Sequence, residues 1–296
     1  MTRQVLVTGA GGQLGTELQR SAWPPGWEVV ACTRADLDLA DPSAIAGKVA
    51  ERRWAAVVNA AAYTAVDRAE SEVTAAWAIN ALAPAAFGEA CGRAGIPLVQ
   101  ISTDYVFSGE RQGAWEPDDP VGPLSVYGAS KLGGELAVRT SGARHAIVRT
   151  AWVLSAHGSN FARTMLRLAA EREMVRVVCD QHGAPTAAAD LARAVMTIAV
   201  RLADDPQAPT GTVHFSNAGA TDWASLAQEI FRQSAARGGP AARVEPIPSS
   251  QYPTAARRPA NSLLGHAAIG AAYGIVPRPW QEALAEILDE LVGPTA

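Results

Sequence analysis

Two side chains four residues apart, Tyr127 and Lys131, have the spacing with the clearest chemical use in this sequence. On a helix this separation places both side chains on one face, one turn apart. A lysine ammonium beside a tyrosine stabilises the phenolate and lowers a pKa that starts at about 10. Tyr127 is therefore a candidate proton donor to a ketone oxygen while hydride reaches the carbon, and Lys131 can hold the ribose of the hydride donor. Thr103, at the end of a predicted strand, is expected to hydrogen-bond the developing alkoxide.

The use of basic residues singles out Lys131. Of 25 basic residues only two are lysines, Lys48 and Lys131, and the others are arginines. A chain that otherwise uses arginine for positive charge has a lysine where ammonium chemistry is needed. The composition thus favours a chemical role for Lys131 over that of a surface residue on a helix.

Three glycines, Gly9, Gly12 and Gly15, form a GxxGxxG pattern after the first predicted strand and at the start of the first predicted helix. Helix N-termini present unpaired N–H groups and a partial positive charge, which suits a pyrophosphate. Glycines let the backbone turn tightly and approach the phosphates, and the last one permits close packing of helix and strand. The pattern predicts a dinucleotide site at this turn.

The residues after the second predicted strand bear on the choice between the two nicotinamide cofactors. An acidic residue here binds the ribose 2′-hydroxyl of NADH, whereas an arginine accommodates the 2′-phosphate of NADPH. Cys32 is followed by Thr33 and Arg34, which favours NADPH. Asp36 lies slightly farther on, and NADH stays the alternative if its carboxylate reaches the ribose.

A regular framework that brings these residues together is predicted in the first half of the chain. Apolar segments alternate with helical ones, and the predicted strands are residues 4–8, 27–32, 54–59, 96–102 and 146–150. Near-continuous apolar strands separated by helices are typical of a parallel sheet covered on both faces. The predicted fold class is therefore α/β, with a Rossmann-type doubly wound parallel sheet and a smaller C-terminal α/β substrate domain.

The second half of the chain is less regular. Its predicted elements are helices at 162–171, 190–203 and about 280–291 and a strand at 212–216, and prolines between 246 and 259 predict loops. We predict two domains, residues 1–150 and 151–296, with segments such as 190–217 returning to the first.

Composition excludes several classes of function. The net charge of the 296 residues is −4 and there is no basic run, which argues against a nucleic-acid partner. Apolar stretches stay well short of the roughly 20 residues that span a bilayer, and the N-terminus has no signal-peptide pattern, so we expect a cytoplasmic protein without a membrane partner. Three cysteines and five histidines are scattered without the spacing of a metal site.

Seven segments occur in an order that resembles a known family. They are GAGGQLG at 9–15, NAAAYTAVDRAE at 59–70, STDYVF at 102–107, YGASK at 127–131, RTAWV at 149–153, DQHGAPT at 180–186 and RRPANS at 257–262. Together they resemble the dTDP-4-dehydrorhamnose reductases, which are extended short-chain dehydrogenase/reductases, over nearly the whole chain. The resemblance implies reduction of the 4-keto group of dTDP-4-dehydro-L-rhamnose by NADPH, with a sugar-nucleotide-binding domain mainly in residues 151–296.

The resemblance also implies roles for individual residues. The implied catalytic set is Thr103, Tyr127 and Lys131. The implied cofactor-binding residues are Gly9, Gly12, Gln13, Leu14, Arg34, Asp38, Leu39, Asn59, Ala60, Ala61, Tyr63, Ser102, Tyr127 and Lys131. The implied substrate-binding residues are Asp104, Tyr105, Trp152, Arg258, Asn261 and Ser262. An aromatic face suits the apolar side of a deoxysugar, and an arginine forks onto phosphate oxygens.

Some members of the family dimerise through a magnesium site of acidic residues, and Glu17 follows the glycine loop at a suitable place. The other acidic ligands are not assigned to particular residues of this sequence, so we predict no metal site and leave magnesium and a homodimer open.

Three alternatives to this function stay open. A 4,6-dehydratase or epimerase on the same fold is disfavoured, because dehydratases follow the catalytic threonine with Asp–Glu and here Thr103 is followed by Asp104 and Tyr105. A non-catalytic, cofactor-binding regulatory subunit needs the pocket but not the intact catalytic set. Another dTDP-4-ketosugar reductase of a deoxysugar pathway, for example one making dihydrostreptose, shares every motif around the nicotinamide.

Overall fold

The computed structural model describes residues 2–294, and strands alternate with helices along its first half. In order, these elements are β1 (Arg3–Thr8), α1 (Gln13–Arg20), β2 (Trp27–Cys32), α2 (Pro42–Ala50), β3 (Ala56–Asn59), α3 (Val66–Ala69), α4 (Val73–Trp77), a π-helical turn (Ala78–Leu82), α5 (Ala83–Ala94), β4 (Leu98–Thr103), a 3₁₀ turn (Asp104–Val106), α6 (Val126–Thr140) and β5 (His145–Thr150).

In the second half of the described residues, most strands are shorter than those of the first half. In order, its elements are β6 (Val153–Leu154), α7 (Phe161–Glu171), β7 (Met174–Val178), β8 (His182–Gly183), β9 (Thr186–Ala187), α8 (Ala188–Asp204), β10 (Gly211–His214), β11 (Thr221–Asp222), α9 (Trp223–Ala235), β12 (Arg243–Ile247), a second 3₁₀ turn (Ser249–Gln251), α10 (Ala267–Tyr273) and α11 (Trp280–Leu291). Within residues 2–294, no helix is both long enough and apolar enough to cross a bilayer.

Six strands form one parallel sheet in the order β10-β5-β4-β3-β1-β2. β2 lies on one side of β1 and β3 on the other, so the direction of winding reverses beside β1. In open α/β sheets, ligands bind outside the carboxyl ends of the strands at this reversal. The predicted fold class, α/β with a Rossmann-type doubly wound sheet, is confirmed.

Apolar helices cover both faces of this sheet. Side chains of a strand alternate between faces, so Val5 and Val7 pack with α1 and α8, whereas Leu6 between them packs with α2 and α5. All three are fully buried. This alternation within β1 explains why the strand reads as one apolar run, because both of its faces are core.

A third apolar cluster is built from α7, α9, α11 and the two-stranded β7–β12 sheet. It lies outside the central sheet, whereas α8 packs on the sheet and β10 pairs with β5. We therefore propose the domain boundary at residue 150, with the α8–β10 segment and α10 belonging to the sheet domain. The prediction of loops from residue 246 onwards is wrong for Pro246, which lies in β12. A proline is tolerated in this strand because a two-stranded sheet consists only of edge strands.

Candidate active site

A cleft of about 1160 Å³ runs along the carboxyl ends of the central strands. Its lining contains these predicted cofactor residues: Gly9, Gly12, Gln13, Leu14, Arg34, Asp38, Leu39, Ala60, Ala61, Tyr63, Ser102, Tyr127 and Lys131. It also contains Thr103, Asp104, Tyr105 and Trp152, but not Asn59, Arg258, Asn261 or Ser262. The structure thus brings the predicted catalytic set and most of the predicted cofactor residues into one site.

The glycine loop forms the end of the cleft beside β1. Gly9 has a φ of +74°, which L side chains rarely adopt, and a Cβ on Gly15 would lie 2.0 Å from the Gly9 carbonyl oxygen. Gly12 is the N-cap of α1, and no side chain caps this helix. The first amides of α1 are therefore available to an anion at the positive end of the helix. These features fit a dinucleotide pyrophosphate.

The residues after β2 differ in what their side chains contact. The Asp36 carboxylate accepts hydrogen bonds from the Thr33 amide and hydroxyl, at 2.8 and 2.7 Å, and these bonds lower its pKa. Asp38 accepts from the Ala40 amide. The exposed Arg34 lines the cleft and makes no ion pair within residues 2–294. The Asp36 carboxylate is thus engaged in a local turn, whereas the Arg34 guanidinium is available to a ligand.

Helix α6 carries Tyr127 at its second residue. The Ser125 hydroxyl caps the helix by accepting a hydrogen bond from the Gly128 amide at 3.2 Å. A Cβ on Gly128 would lie 2.2 Å from the Tyr105 carbonyl oxygen. Glycine at this position therefore lets the start of α6 approach the 3₁₀ turn after Thr103, which brings Tyr127 to Thr103.

Tyr127 is half-buried and lies in the cleft beside Thr103. Burial raises the pKa of Tyr127 to about 12, the Thr103 side chain opposes this shift by hydrogen bonding, and the Asp104 carboxylate adds to it. The expectation that Lys131 lowers this pKa is wrong for this structure. Its ammonium instead donates a hydrogen bond to the Ile101 carbonyl oxygen at 2.6 Å.

Lys131 is buried one helical turn after Tyr127. Burial lowers the pKa of its ammonium to about 8, and the Glu135 carboxylate opposes that shift. Glu135 is itself fully buried, forms an ion pair with Arg149 at 2.7 Å and accepts a hydrogen bond from the Ser102 hydroxyl at 2.6 Å. Ser102 therefore links β4 to α6 through its hydroxyl. The same residue also lines the cleft.

Asp104 directly follows Thr103 and is almost completely buried. Its Oδ1 accepts a hydrogen bond from the Thr103 hydroxyl at 2.9 Å, and its Oδ2 has no hydrogen-bond partner within residues 2–294. Burial raises the pKa of Asp104 to about 6, opposed by the nearby Ser262 side chain. A buried carboxylate oxygen without a partner is suited to a ligand hydroxyl.

Aromatic side chains form part of the wall of the cleft. Tyr105 packs edge-on against Tyr127 with ring centroids 5.4 Å apart. Trp152 stacks on Trp223 at 3.7 Å, and both indoles line the cleft. Sequence reasoning missed Trp223, because nothing in the residues around it indicates a contact with Trp152.

The segment after β12 lies beside this wall, outside the cleft lining. The Arg258 guanidinium forms a two-pronged ion pair with Asp67 of α3, at 3.1 and 2.7 Å, and faces Tyr105. The Asn261 amide donates to the carbonyl oxygens of Arg111 and Gly113. Asn261 thus binds the loop before α6 rather than facing the cleft.

Two buried asparagines hold the backbone around the cofactor end of the cleft. Asn59 accepts from the Thr8 hydroxyl at 2.6 Å and donates to Gln100, so it links three strand ends from behind the cleft. Asn80, in the π-helical turn, accepts from the Tyr63 amide at 2.8 Å and donates to Ser130 on α6. Sequence reasoning missed Asn80, since a π turn has no sequence signal but is frequent at functional sites.

Glu17, considered above for magnesium, lies in α1 away from the catalytic set. Its carboxylate is 3.5 Å from the Arg20 guanidinium and 3.3 Å from the His157 ring. Residues 2–294 contain no group of three histidine, cysteine or acidic side chains arranged to hold a metal ion.

Comparisons with known proteins agree on one family. The RmlD substrate binding domain matches residues 3–292. The dTDP-4-dehydrorhamnose reductases of Burkholderia thailandensis and Escherichia coli are 43% and 40% identical to this chain; the first match covers 98% of this chain and 99% of that protein, and the second 99% of each. The crystal structure of the Bacillus anthracis dTDP-4-dehydrorhamnose reductase in complex with NADP matches with a TM-score of 0.90 and 35% identity, over 98% of this chain and all of that one. The chain therefore belongs to the RmlD family, the dTDP-4-dehydrorhamnose reductases.

Proposed function

We propose that this chain reduces the 4-keto group of dTDP-4-dehydro-L-rhamnose with NADPH, giving dTDP-L-rhamnose. The observation that carries the proposal is the convergence of Thr103, Tyr127 and Lys131 in the cleft that begins at the glycine loop. Relatives named dTDP-4-dehydrorhamnose reductase match nearly the full length of this chain. The combination supports turnover rather than binding alone, because a regulatory subunit has no use for a proton donor beside a hydride-donor site.

Tyr127 is the proposed proton donor. Its pKa of about 12 keeps the phenol protonated at neutral pH, so a proton is available when the ketone oxygen becomes an alkoxide. Thr103 lies beside Tyr127 in the cleft, and its hydroxyl, which donates to Asp104 Oδ1 in the ligand-free structure, is proposed to turn and donate to the same developing oxyanion. When bound, NADPH supplies the hydride to the carbon of the ketone.

The cofactor is proposed to lie along the cleft from the glycine loop to Lys131. The amides at the start of α1 face its pyrophosphate, and the Lys131 ammonium, next to Tyr127 on α6, holds the nicotinamide ribose. NADPH is preferred over NADH in this proposal because Arg34 is available to a 2′-phosphate, whereas Asp36 is engaged with Thr33.

The sugar is proposed to lie against Asp104, Tyr105 and Trp152. The unpartnered Asp104 Oδ2 suits a sugar hydroxyl, and the aromatic rings suit the apolar face of a deoxysugar. Tyr105 occupies the position where a dehydratase carries its second carboxylate, so the site lacks the pair of carboxylates for water elimination.

Arg258 and Ser262 are proposed to bind the nucleotide side of the substrate. The Arg258 guanidinium makes a two-pronged contact with the Asp67 carboxylate, which it would exchange for the oxygens of a diphosphate, bound in the same geometry. Asn261 contributes by holding this segment to the loop of residues 108–122 through its two backbone contacts.

Product identification tests this proposal directly. The purified chain is incubated with dTDP-4-keto-6-deoxyglucose, a 3,5-epimerase and NADPH. The nucleotide sugars are then separated by chromatography and their masses are measured by mass spectrometry. We expect a product two hydrogens heavier than the ketosugar that co-elutes with dTDP-L-rhamnose. A reduced product that elutes apart from dTDP-L-rhamnose would favour the alternative 4-ketosugar reductase.

A further inference from the structure

Trp152 has a backbone conformation that tryptophan rarely adopts. Its φ is +48°, and no other non-glycine residue within residues 2–294 has a positive φ. A bulky side chain in this region is strained and persists only where the surroundings hold it. The contacts that hold Trp152 in this conformation therefore help to shape the cleft, since its indole lines it.

Trp223 is the first of these contacts. The two indoles are nearly parallel, with an interplanar angle of 15° and ring centroids 3.7 Å apart. Trp223 is the first residue of α9 and is packed in turn by Phe161, at 4.7 Å between centroids. Both stacked indoles line the cleft, so Trp223 supports one face of the Trp152 indole there.

Gly183, in the DQHGAPT segment, is the second contact. A Cβ on Gly183 would lie 2.7 Å from Cε2 and 2.8 Å from Cζ2 of the Trp152 indole. Heavy atoms do not approach this closely, so any larger residue at position 183 forces a displacement. Gly183 has an ordinary negative φ, so what requires glycine here is the space taken by the indole and not the backbone conformation.

The backbone at Gly183 is fixed on both sides. Gly183 pairs with Thr221 in the β8–β11 ladder. On the other side, the neighbouring His182 donates its amide to the Ala260 carbonyl oxygen at 2.8 Å and accepts from the Ser262 amide at 2.7 Å. The added methyl group would therefore be accommodated by movement of the indole rather than of the strand.

We propose that Gly183 and Trp223 determine the specificity of the sugar pocket. Gly183 is a positioning residue that leaves the space in which the Trp152 indole lies. Trp223 holds the Trp152 indole in place by stacking on it, so that this aromatic surface can meet the apolar part of a deoxysugar. This inference rests on the proposed function, because it assigns that surface to the sugar of a nucleotide-linked substrate.

The test separates binding of the sugar from binding of the nucleotide. Calorimetric titrations in the presence of NADP⁺ compare dTDP-L-rhamnose with dTDP for the wild-type chain and for Gly183→Ala. We expect the wild type to bind the sugar-linked nucleotide about tenfold more tightly than dTDP, and Gly183→Ala to lose most of that preference while its Kd for dTDP changes less than about twofold. A merely structural defect would weaken both ligands together.

Gly47→Ala is the matched control. It makes the same substitution at an exposed glycine of α2 where an added Cβ meets no atom within 4 Å. We expect Gly47→Ala to keep the wild-type preference and the wild-type near-ultraviolet circular dichroism. Gly183→Ala is expected to change that spectrum, since the indole moves.

Trp223→Leu keeps the inference testable if Gly183→Ala does not fold. This variant retains Trp152 and removes the stacked ring, and we expect the same loss of preference with an unchanged Kd for dTDP. A full preference in the folded variants would overturn the inference and leave the proposed reduction untouched. If the variants lose the preference but the wild type shows no reductase activity, the inference is supported and the proposed reduction is overturned. A wild type without preference would overturn the inference alone, because turnover does not require the product to bind more tightly than dTDP.

Discussion

The Thr103 hydroxyl donates a hydrogen bond to Asp104 Oδ1 over 2.9 Å, while the other oxygen of the same carboxylate has no partner within residues 2–294. The contact joins the residue proposed to bind the developing alkoxide to the residue proposed to bind a sugar hydroxyl. Leaving a buried carboxylate oxygen without a partner lowers the stability of the ligand-free fold. We infer that the unpartnered oxygen lowers the stability of the ligand-free fold and is retained because it binds a ligand.

The pH dependence of the free energy of unfolding tests whether the buried Asp104 carboxylate lowers stability. Burial raises the pKa of Asp104 from 3.8 to about 6, so the folded state keeps the proton to higher pH than the unfolded state does. The stability contributed by the neutral form is fully present below pH 3.8 and is lost as the pH rises through about 6. A shift of this size corresponds to at most about 3 kcal/mol.

Asp104→Asn is therefore expected to stabilise the protein at pH 8 and to change its stability little at pH 4. The variant carries a neutral side chain of the same shape at every pH. Thermal unfolding of both proteins, followed by circular dichroism between pH 4 and pH 8, measures the difference in Tm. A difference that is constant across this range would show that ionisation of Asp104 does not limit stability.

Tyr127→Phe removes the proposed proton donor and keeps the ring. We expect kcat to fall by about 10²–10⁴-fold, because the alkoxide then lacks its acid, with the Kd for NADPH within about twofold of wild type. Steady-state assays and fluorescence titration of NADPH measure the two quantities. Loss of NADPH binding together with turnover would contradict the assignment, since it would mean that the hydroxyl acts mainly on the cofactor.

Arg34→Ala tests the proposed cofactor preference. We expect the KM for NADPH to rise about tenfold and the KM for NADH to change little, because only NADPH carries the 2′-phosphate. Asp36→Asn is the control on the same loop, and its carboxylate is engaged with Thr33. If Asp36→Asn raises the KM for NADH instead, the Asp36 carboxylate binds the ribose hydroxyl and NADPH is not the preferred cofactor.

Arg258→Ala tests the proposed contact with the diphosphate. We expect the KM for the sugar nucleotide and the Kd for dTDP to rise about tenfold, with the KM for NADPH unchanged. Arg257→Ala removes the same charge from the neighbouring, exposed position and is expected to leave all three values near wild type. An unchanged affinity for dTDP in Arg258→Ala would remove this residue from the site.

The parts of the site that depend on short-range spacing could be predicted from the sequence. The glycine loop requires a tight turn at the start of a helix, and the Tyr127–Lys131 pair requires one helical turn, so each leaves a local pattern. Apolar runs likewise predicted the central strands, because most positions of a strand buried on both faces are apolar. Strand β2 begins and ends at the predicted residues, 27 and 32.

Features that depend on contacts between distant segments could not be predicted. The stack of Trp223 on Trp152 and the space at Gly183 exist only once β8, β11 and α9 are assembled. Asn261 lies in the RRPANS segment that resembles the family, yet its side-chain amide binds the loop before α6. No spacing in the sequence indicates this contact. The pKa of Tyr127 was predicted in the wrong direction because the i, i+4 spacing reveals neither the burial of the phenol nor the carbonyl oxygen that Lys131 contacts.

The measurement that tests the central claim most directly is oxidation of NADPH in the presence of dTDP-4-keto-6-deoxyglucose, with and without the 3,5-epimerase. The account predicts turnover only when the epimerase is present, because dTDP-4-dehydro-L-rhamnose is then formed. Equal turnover without the epimerase would contradict it by assigning the chain to a different 4-ketosugar, and an absence of turnover under both conditions would contradict the reductase activity itself.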